Sequence, residues 1–214
     1  MKKSKAILMV VCAMLLVAAS VMGTLAYLTS TDEVVNTFSV GKVKITLDEA
    51  QVGDDGKALA GEAAARVKDN NYHLLPGHEY DKDPTVTVKA VSDESYVRMM
   101  VKVTFTEAPT DAMMATDLAS IFTGHDSSKW IRKEMTVSTD KKTITYEYRY
   151  ATTVAAPTGD VELEPLFEHI KVPSTYTDKE INILNGMKIE ITAQAIQADG
   201  FKTADAAWAE FPTT

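Results

Sequence analysis

Residues 96–105 read YVRMMVKVTF. Val97, Met99, Val101, Val103 and Phe105 occupy every second position, with Arg98, Lys102 and Thr104 between them and Met100 as the one apolar exception. Side chains of a strand alternate between its two faces, so the pattern predicts a strand with one face in a core and the other in water. Half-buried strands of this kind belong to antiparallel sheets.

Similar signals lie on both sides. Residues 42–47 place Val43, Ile45 and Leu47 on one face and lysines on the other, and Thr85 to Val88 repeats the alternation. Residues 143–150 line up Tyr146, Tyr148 and Tyr150, an aromatic face read as core or sheet-edge packing rather than a ligand platform. Residues 187–195 alternate through Ile189 and Ile191. Helical pieces are short. Thr110 and Asp111 are placed to cap a segment reaching about Phe122, with Met114, Leu118 and Ile121 near helical spacing. Thr177 and Glu180 have the spacing of a capping box before Ile181, Ile183 and Leu184, and residues 204–211 offer an Ala-rich terminal turn or helix carrying Trp208 and Phe211. Turn signals stand at residues 53–56, 76–77, 157–159 and at Pro173, and residues 48–72 read as a loop insertion. The expected fold class is all-β: a jelly-roll-like antiparallel β-sandwich with short helical insertions, preceded by an N-terminal signal helix.

Lys2, Lys3 and Lys5 precede an uncharged run from Ala6 to Met22, the layout of an export signal. Thr24 and Ala26 are small residues at the −3 and −1 positions of a cut before Tyr27, and no basic stop-transfer cluster follows. The expectation is a signal peptide over residues 1–26 and a single β-sandwich domain over 27–214, in a protein that is secreted or held at the cell surface. The run is also at the short end for a membrane span, so a retained anchor stays open. Cleavage takes Lys+Arg from 22 to 19 against 30 Asp+Glu, a balance of −11. Such a surface repels nucleic acid and anionic membranes, leaving an uncleaved signal as the expected membrane contact. Cys12, the chain's one cysteine, lies in the apolar run, so the mature chain holds no disulfide and no thiolate site.

Motifs for chemistry are missing. His78-Glu79 begins as a zinc-protease motif would, but Lys82 stands where the second His belongs. His73, His125 and His169 lie in separate segments that could meet only by folding. Glu79, Asp81 and Asp83 lack the spacing of a calcium loop, as do Asp54 and Asp55. Neither a phosphate-cradling glycine loop nor GxSxG occurs. No catalytic residue, metal site or cofactor is predicted.

The segment TLAYLTSTDEVVNTFSVGKVKITLDE (residues 24–49) resembles the N-termini of Gram-positive exported proteins processed by the SipW-type signal peptidase, a group that includes the TasA/camelysin family. The matching residues are Thr24, Leu25, Ala26 and Tyr27, then Asn36, Thr37 and Phe38, then Gly41 with Val43. LLPGHEYDKDPTVTV (74–88) resembles the family's Pro-Gly turn leading into a strand, and SYVRMMVKVTF (95–105), PLFEHIKVP (165–173) and AIQADGFKTADAAWAEF (195–211) are similar to segments of clostridial members. The resemblance implies a jelly roll outside the cell, a SipW-type peptidase as a partner, and self-association or other matrix proteins as further partners. In TasA-like proteins the fold assembles into matrix fibres, an N-terminal segment lending a strand to the next subunit. The segment from Leu28 to Val40 carries β-favouring Val34, Val35, Thr37, Phe38 and Val40, and is the candidate donor strand. Pairing of these residues within their own domain stays open. Camelysin is the metal-dependent endopeptidase of the family, but no motif here receives its catalytic residues. An enzyme is therefore the alternative to a structural matrix protein, and a surface adhesion module that does not polymerise is a third reading.

Overall fold

The computed structural model describes residues 29–32, 43–116 and 118–212. Its strands are β1 (Thr29–Asp32), β2 (Ile45–Ala50), β3 (Arg66–Val67), β4 (Glu79–Asp81), β5 (Thr85–Val88), β6 (Ser92–Thr104) and β7 (Phe122–Thr123), followed by β8 (Trp130–Val137), β9 (Thr143–Tyr150), β10 (Val154–Ala156), β11 (Val161–Glu162), β12 (His169–Lys171) and β13 (Lys188–Gln197). Three short helices, α1 (Asp111–Ala115), α2 (Asp178–Leu184) and α3 (Ala204–Ala209), lie between or after them. The all-β expectation holds: the elements form antiparallel sheets, and the helices are peripheral.

The strand predicted at residues 96–105 is β6, the centre of the largest sheet, whose order is β1-β13-β6-β9-β8 with β10 also on β6. Lys188↔Thr104 through Gln197↔Ser95 pairs β13 with one edge of β6, and Arg98↔Arg149 through Thr104↔Thr143 pairs β9 with the other. Val97, Met99, Val101, Val103 and Phe105 are all buried, as their spacing requires. They share one core with Ile144, Tyr146 and Tyr148 of β9 and with side chains of two smaller sheets, β11-β5-β2-β3 and β4-β12-β7. The opposite face of β6 is not simply solvated. α3 lays Trp208 and Phe211 against Ile196 and Tyr96, and the Arg98 guanidinium sits 4.2 Å from the Trp208 ring centroid.

Several expectations are corrected. The helix expected from Thr110 to Phe122 is two pieces, because α1 ends at Ala115 and Leu118–Ile121 forms a 3₁₀ turn. Thr110 Oγ1 caps the Met113 N–H at 3.2 Å, while Thr116 Oγ1 donates to the Met113 carbonyl, a local bond that competes with helix continuation. Within this segment Met113, rather than Met114, is the buried methionine. In β5, Thr85 is buried along with Val86 and Val88, its hydroxyl bonded to the Asp83 carbonyl, so the alternation is not solvated on its polar side. The first predicted strand begins at Ile45 and runs on through Ala50, and the chain then loops out and returns as β3. Strand β8 carries no clear alternation in the sequence because Arg132-Lys133-Glu134 interrupts its apolar spacing; the pairing shifts register there, as a bulge does. The capping box is present, with Glu180 accepting the Thr177 N–H at 2.9 Å.

Among the described residues, no helix is long and apolar enough to cross a membrane. The expected signal segment, residues 1–26, lies outside them.

Met99 has no solvent exposure and fills the centre of the core. Met99→Ala is expected to lower unfolding free energy by about 2–5 kcal/mol, read as an earlier urea midpoint with an unchanged slope.

Candidate functional site

Strand β2 decides where the charged residues go. Its inward row runs Ile45, Leu47, Glu49, so continuing the alternation turns a carboxylate toward the interior. A buried carboxylate needs a cation and hydrogen-bond donors. Lys82, one residue beyond β4, supplies the cation: its Nζ lies 2.5 Å from Glu49 Oε2, with both side chains about nine-tenths buried. Asn70 supplies the donor, its Nδ2 lying 3.1 Å from Glu49 Oε1 and 2.8 Å from the Ala50 carbonyl. The Asn70 carbonyl oxygen in turn accepts the Val52 N–H at 3.0 Å, so every polar atom of that amide is engaged.

A shell of ring faces and ion pairs surrounds this triad. The Lys82 Nζ stands 5.5 Å from the Tyr72 ring centroid. The Tyr72 hydroxyl donates to the Asp81 carbonyl at 3.0 Å, and its ring meets Tyr80 edge-on. Burial first, and the Glu49 carboxylate second, push the Tyr72 hydroxyl far above the ordinary phenol range. Arg66 of β3 clasps the outside, with Nε 2.7 Å from Asp48 and Nη1 2.5 Å from Asp83. Burial works against its charge, but the hydrogen bonds to Asp48 and Asp83 prevail and raise its pKa. Asp83 also receives the Ala50 N–H at 2.6 Å, tying the end of β2 to the start of β5. Gly56 makes the adjoining turn at φ +70°, and a Cβ there would stand 2.3 Å from the Tyr80 ring.

Beside the triad opens a groove of about 910 Å³. Its apolar walls include Leu47, Leu74, Ile181, Leu184, Ile189 and Ile191, from β2, the strap that follows β3, α2 and β13. Along β13, β1 pairs only with Ala193–Ile196, so Lys188–Thr192 have no second strand partner among the described residues. The groove runs beside that stretch.

The histidines do not converge. His78 Nδ1 lies by the Pro76 carbonyl and His125 Nδ1 by the Leu166 carbonyl, while His73 lines the groove. His169 Nδ1 is 3.3 Å from Asp81 Oδ1 but lacks hydrogen-bond geometry. Among the described residues, no three His, Cys, Asp or Glu side chains group as a metal site. Tyr146 and Tyr148 are core residues, whereas Tyr150 is half-buried and donates its hydroxyl to Glu164, 2.5 Å away. The cleavage residues Thr24, Ala26 and Tyr27 and the donor-strand residues Val34, Val35, Thr37, Phe38 and Val40 lie outside the described residues. Sequence reasoning missed Glu49, Asn70 and Lys82. The period-2 row through Ile45 and Leu47 was the available signal for Glu49; nothing local marks the other two.

Asp81 offers a pH test. Burial alone would raise its pKa, but the Ala58 N–H at 2.9 Å and the Lys57 ammonium at 3.0 Å prevail and lower it. A carboxyl whose folded pKa is depressed contributes stability above its unfolded pKa and loses it as pH falls through the folded value. Asp81→Asn is expected to cost about 1–2 kcal/mol at pH 7, with the gap to the parent chain narrowing as pH falls below the ordinary Asp pKa of about 3.9. Urea unfolding across that range reads it.

Compared with known proteins, the chain matches no family model, no curated protein and no solved structure.

Proposed function

We propose that this chain is an exported structural protein of the cell surface or extracellular matrix, of the TasA/camelysin type. Its copies associate when the N-terminal segment of one lies as a strand on the sheet of the next. The observation that carries the reading is β1. Thr29–Asp32 lies at the edge of the large sheet on four residues of β13, and an apolar groove runs beside the next stretch of that edge. A sheet edge next to an apolar groove is a site for strand addition: main-chain hydrogen bonds supply affinity, and alternate side chains filling pockets supply specificity. The segment after β1 holds Val34, Val35, Thr37, Phe38 and Val40, whose β-branched and aromatic side chains suit such a groove. The antiparallel sheets sharing a core support the jelly-roll reading of the fold.

The far edge of the same sheet supports assembly as well. In β8 the large side chains of Ile131, Met135 and Val137 are 39%, 47% and 38% exposed, on a strand whose outer edge has no partner among the described residues. Uncovered apolar edges are templates for pairing with another chain. The bulge and the charges at Arg132-Lys133-Glu134 hinder indiscriminate pairing at that edge.

Two chains test the proposal, one beginning at Tyr27 and one at Gly41, compared by size-exclusion chromatography and electron microscopy at rising concentration, pH and calcium. Filaments or oligomers from the first and monomers from the second are the expected result. Monomers from both would overturn it.

A further inference from the structure

The Lys82–Glu49–Asn70 triad has the composition and hydrogen-bond pattern of a reaction rather than of a plain ion pair. A primary amine and a carboxamide are held on the two oxygens of one carboxylate, at 2.5 Å and 3.1 Å, inside the protein. An ion pair needs only Lys82 and Glu49. Asn70 adds an acyl carbon whose oxygen is already polarised by the Val52 N–H and whose nitrogen is already directed at the carboxylate.

We propose that Lys82 and Asn70 condense to an intramolecular isopeptide bond, with Glu49 as the proton-transferring catalyst. Glu49 takes a proton from the Lys82 ammonium, and the freed amine attacks Cγ of Asn70. Charge that develops on the Asn70 oxygen is met by the Val52 N–H. The tetrahedral intermediate collapses as Glu49 relays a second proton from the attacking nitrogen to the departing one. The new bond is Nζ–Cγ, the broken bond is Cγ–Nδ2, and the leaving group is ammonia. Of the protons that began on the ammonium and the amide nitrogen, one stays on the new amide, three leave with ammonia and one remains on Glu49. The positive lysine and negative glutamate thereby become a neutral amide and a neutral carboxyl, and no unpaired charge is left in the interior. No oxidant, metal or cofactor enters the balance.

The position of the link gives it a use. Asn70 lies on the strap after β3 and Lys82 follows β4, so the bond would close the strap against the sheet that walls the groove. The only cysteine of the chain is Cys12, so disulfides offer no other staple to the domain. A covalent clasp there restricts the unfolded chain as a disulfide would, without depending on redox state. The inference stands apart from the assembly proposal, since a monomer could carry the same bond.

Mass spectrometry of the folded full chain tests it. Trypsin cuts after Lys and Arg, so a linear chain gives peptides 69–82 and 83–89. The expected result is one uncut peptide spanning 69–89, lighter by about 17 Da for the lost ammonia, with fragments that place the link between Asn70 and Lys82. Glu49→Gln keeps both reacting groups, and is expected to yield the two linear peptides. Lys82→Arg keeps the cation beside Glu49 and removes the nucleophile; it too is expected to be cut after position 82, and covers the case in which the Glu49 variant does not fold. Linear peptides from the folded parent chain would overturn the proposal. So would the same mass loss with cleavage after Lys82 retained, which marks a succinimide, or a link from Lys82 to Glu49 or Asn71.

Discussion

Strand β6 is the constraint on which the other layers depend. It pairs with β13 on one edge and with β9 on the other, and receives β10 near its start. Its inner row, Val97, Met99, Val101, Val103 and Phe105, is where the core of the large sheet meets the smaller sheets. A slip of one residue would send Arg98 and Lys102 into that core and turn the whole apolar row to the opposite face, so register is strongly specified. The outward Arg98 adds a second condition. It accepts the cover of Trp208 and Phe211 while its Nε reaches Gln194 at 2.7 Å, so α3 has one place to dock.

A polar centre of comparable consequence sits where β2, β3 and β4 approach one another. Glu49 turns inward because the strand's period demands it, and Lys82, Asn70 and the Tyr72 ring convert a costly burial into a satisfied network. Arg66 then binds the backbone and carboxylates of Asp48 and Asp83 from outside. The strap after β3 is thus fastened by side chains rather than by a long ladder of backbone bonds. The groove beside it exists because the strap, α2 and β13 approach without closing onto one another.

The fold was more legible than the site, for physical reasons. Alternation in residues 96–105 and 143–150 is a local property, and buried faces followed from it directly. Thr177 and Glu180 stood at capping spacing and formed the cap bond. Strand β8 was hidden by its own bulge and by three consecutive charged residues, which erase the period without erasing the pairing. Lys82 and its partner Glu49 lie 33 residues apart, so no local spacing marks them as a pair.

The sequence by itself determined the all-β class, the inner face of the central strand, the turn positions and the absence of any thiol beyond Cys12, because each of these depends on residue type and short-range spacing. Only the tertiary structure decided that Glu49, Asn70 and Lys82 share one buried position, that α3 covers Arg98, and that a groove opens along β13. Those results depend on which strands become neighbours. Strand pairing joins residues far apart in the chain, and no local period encodes it.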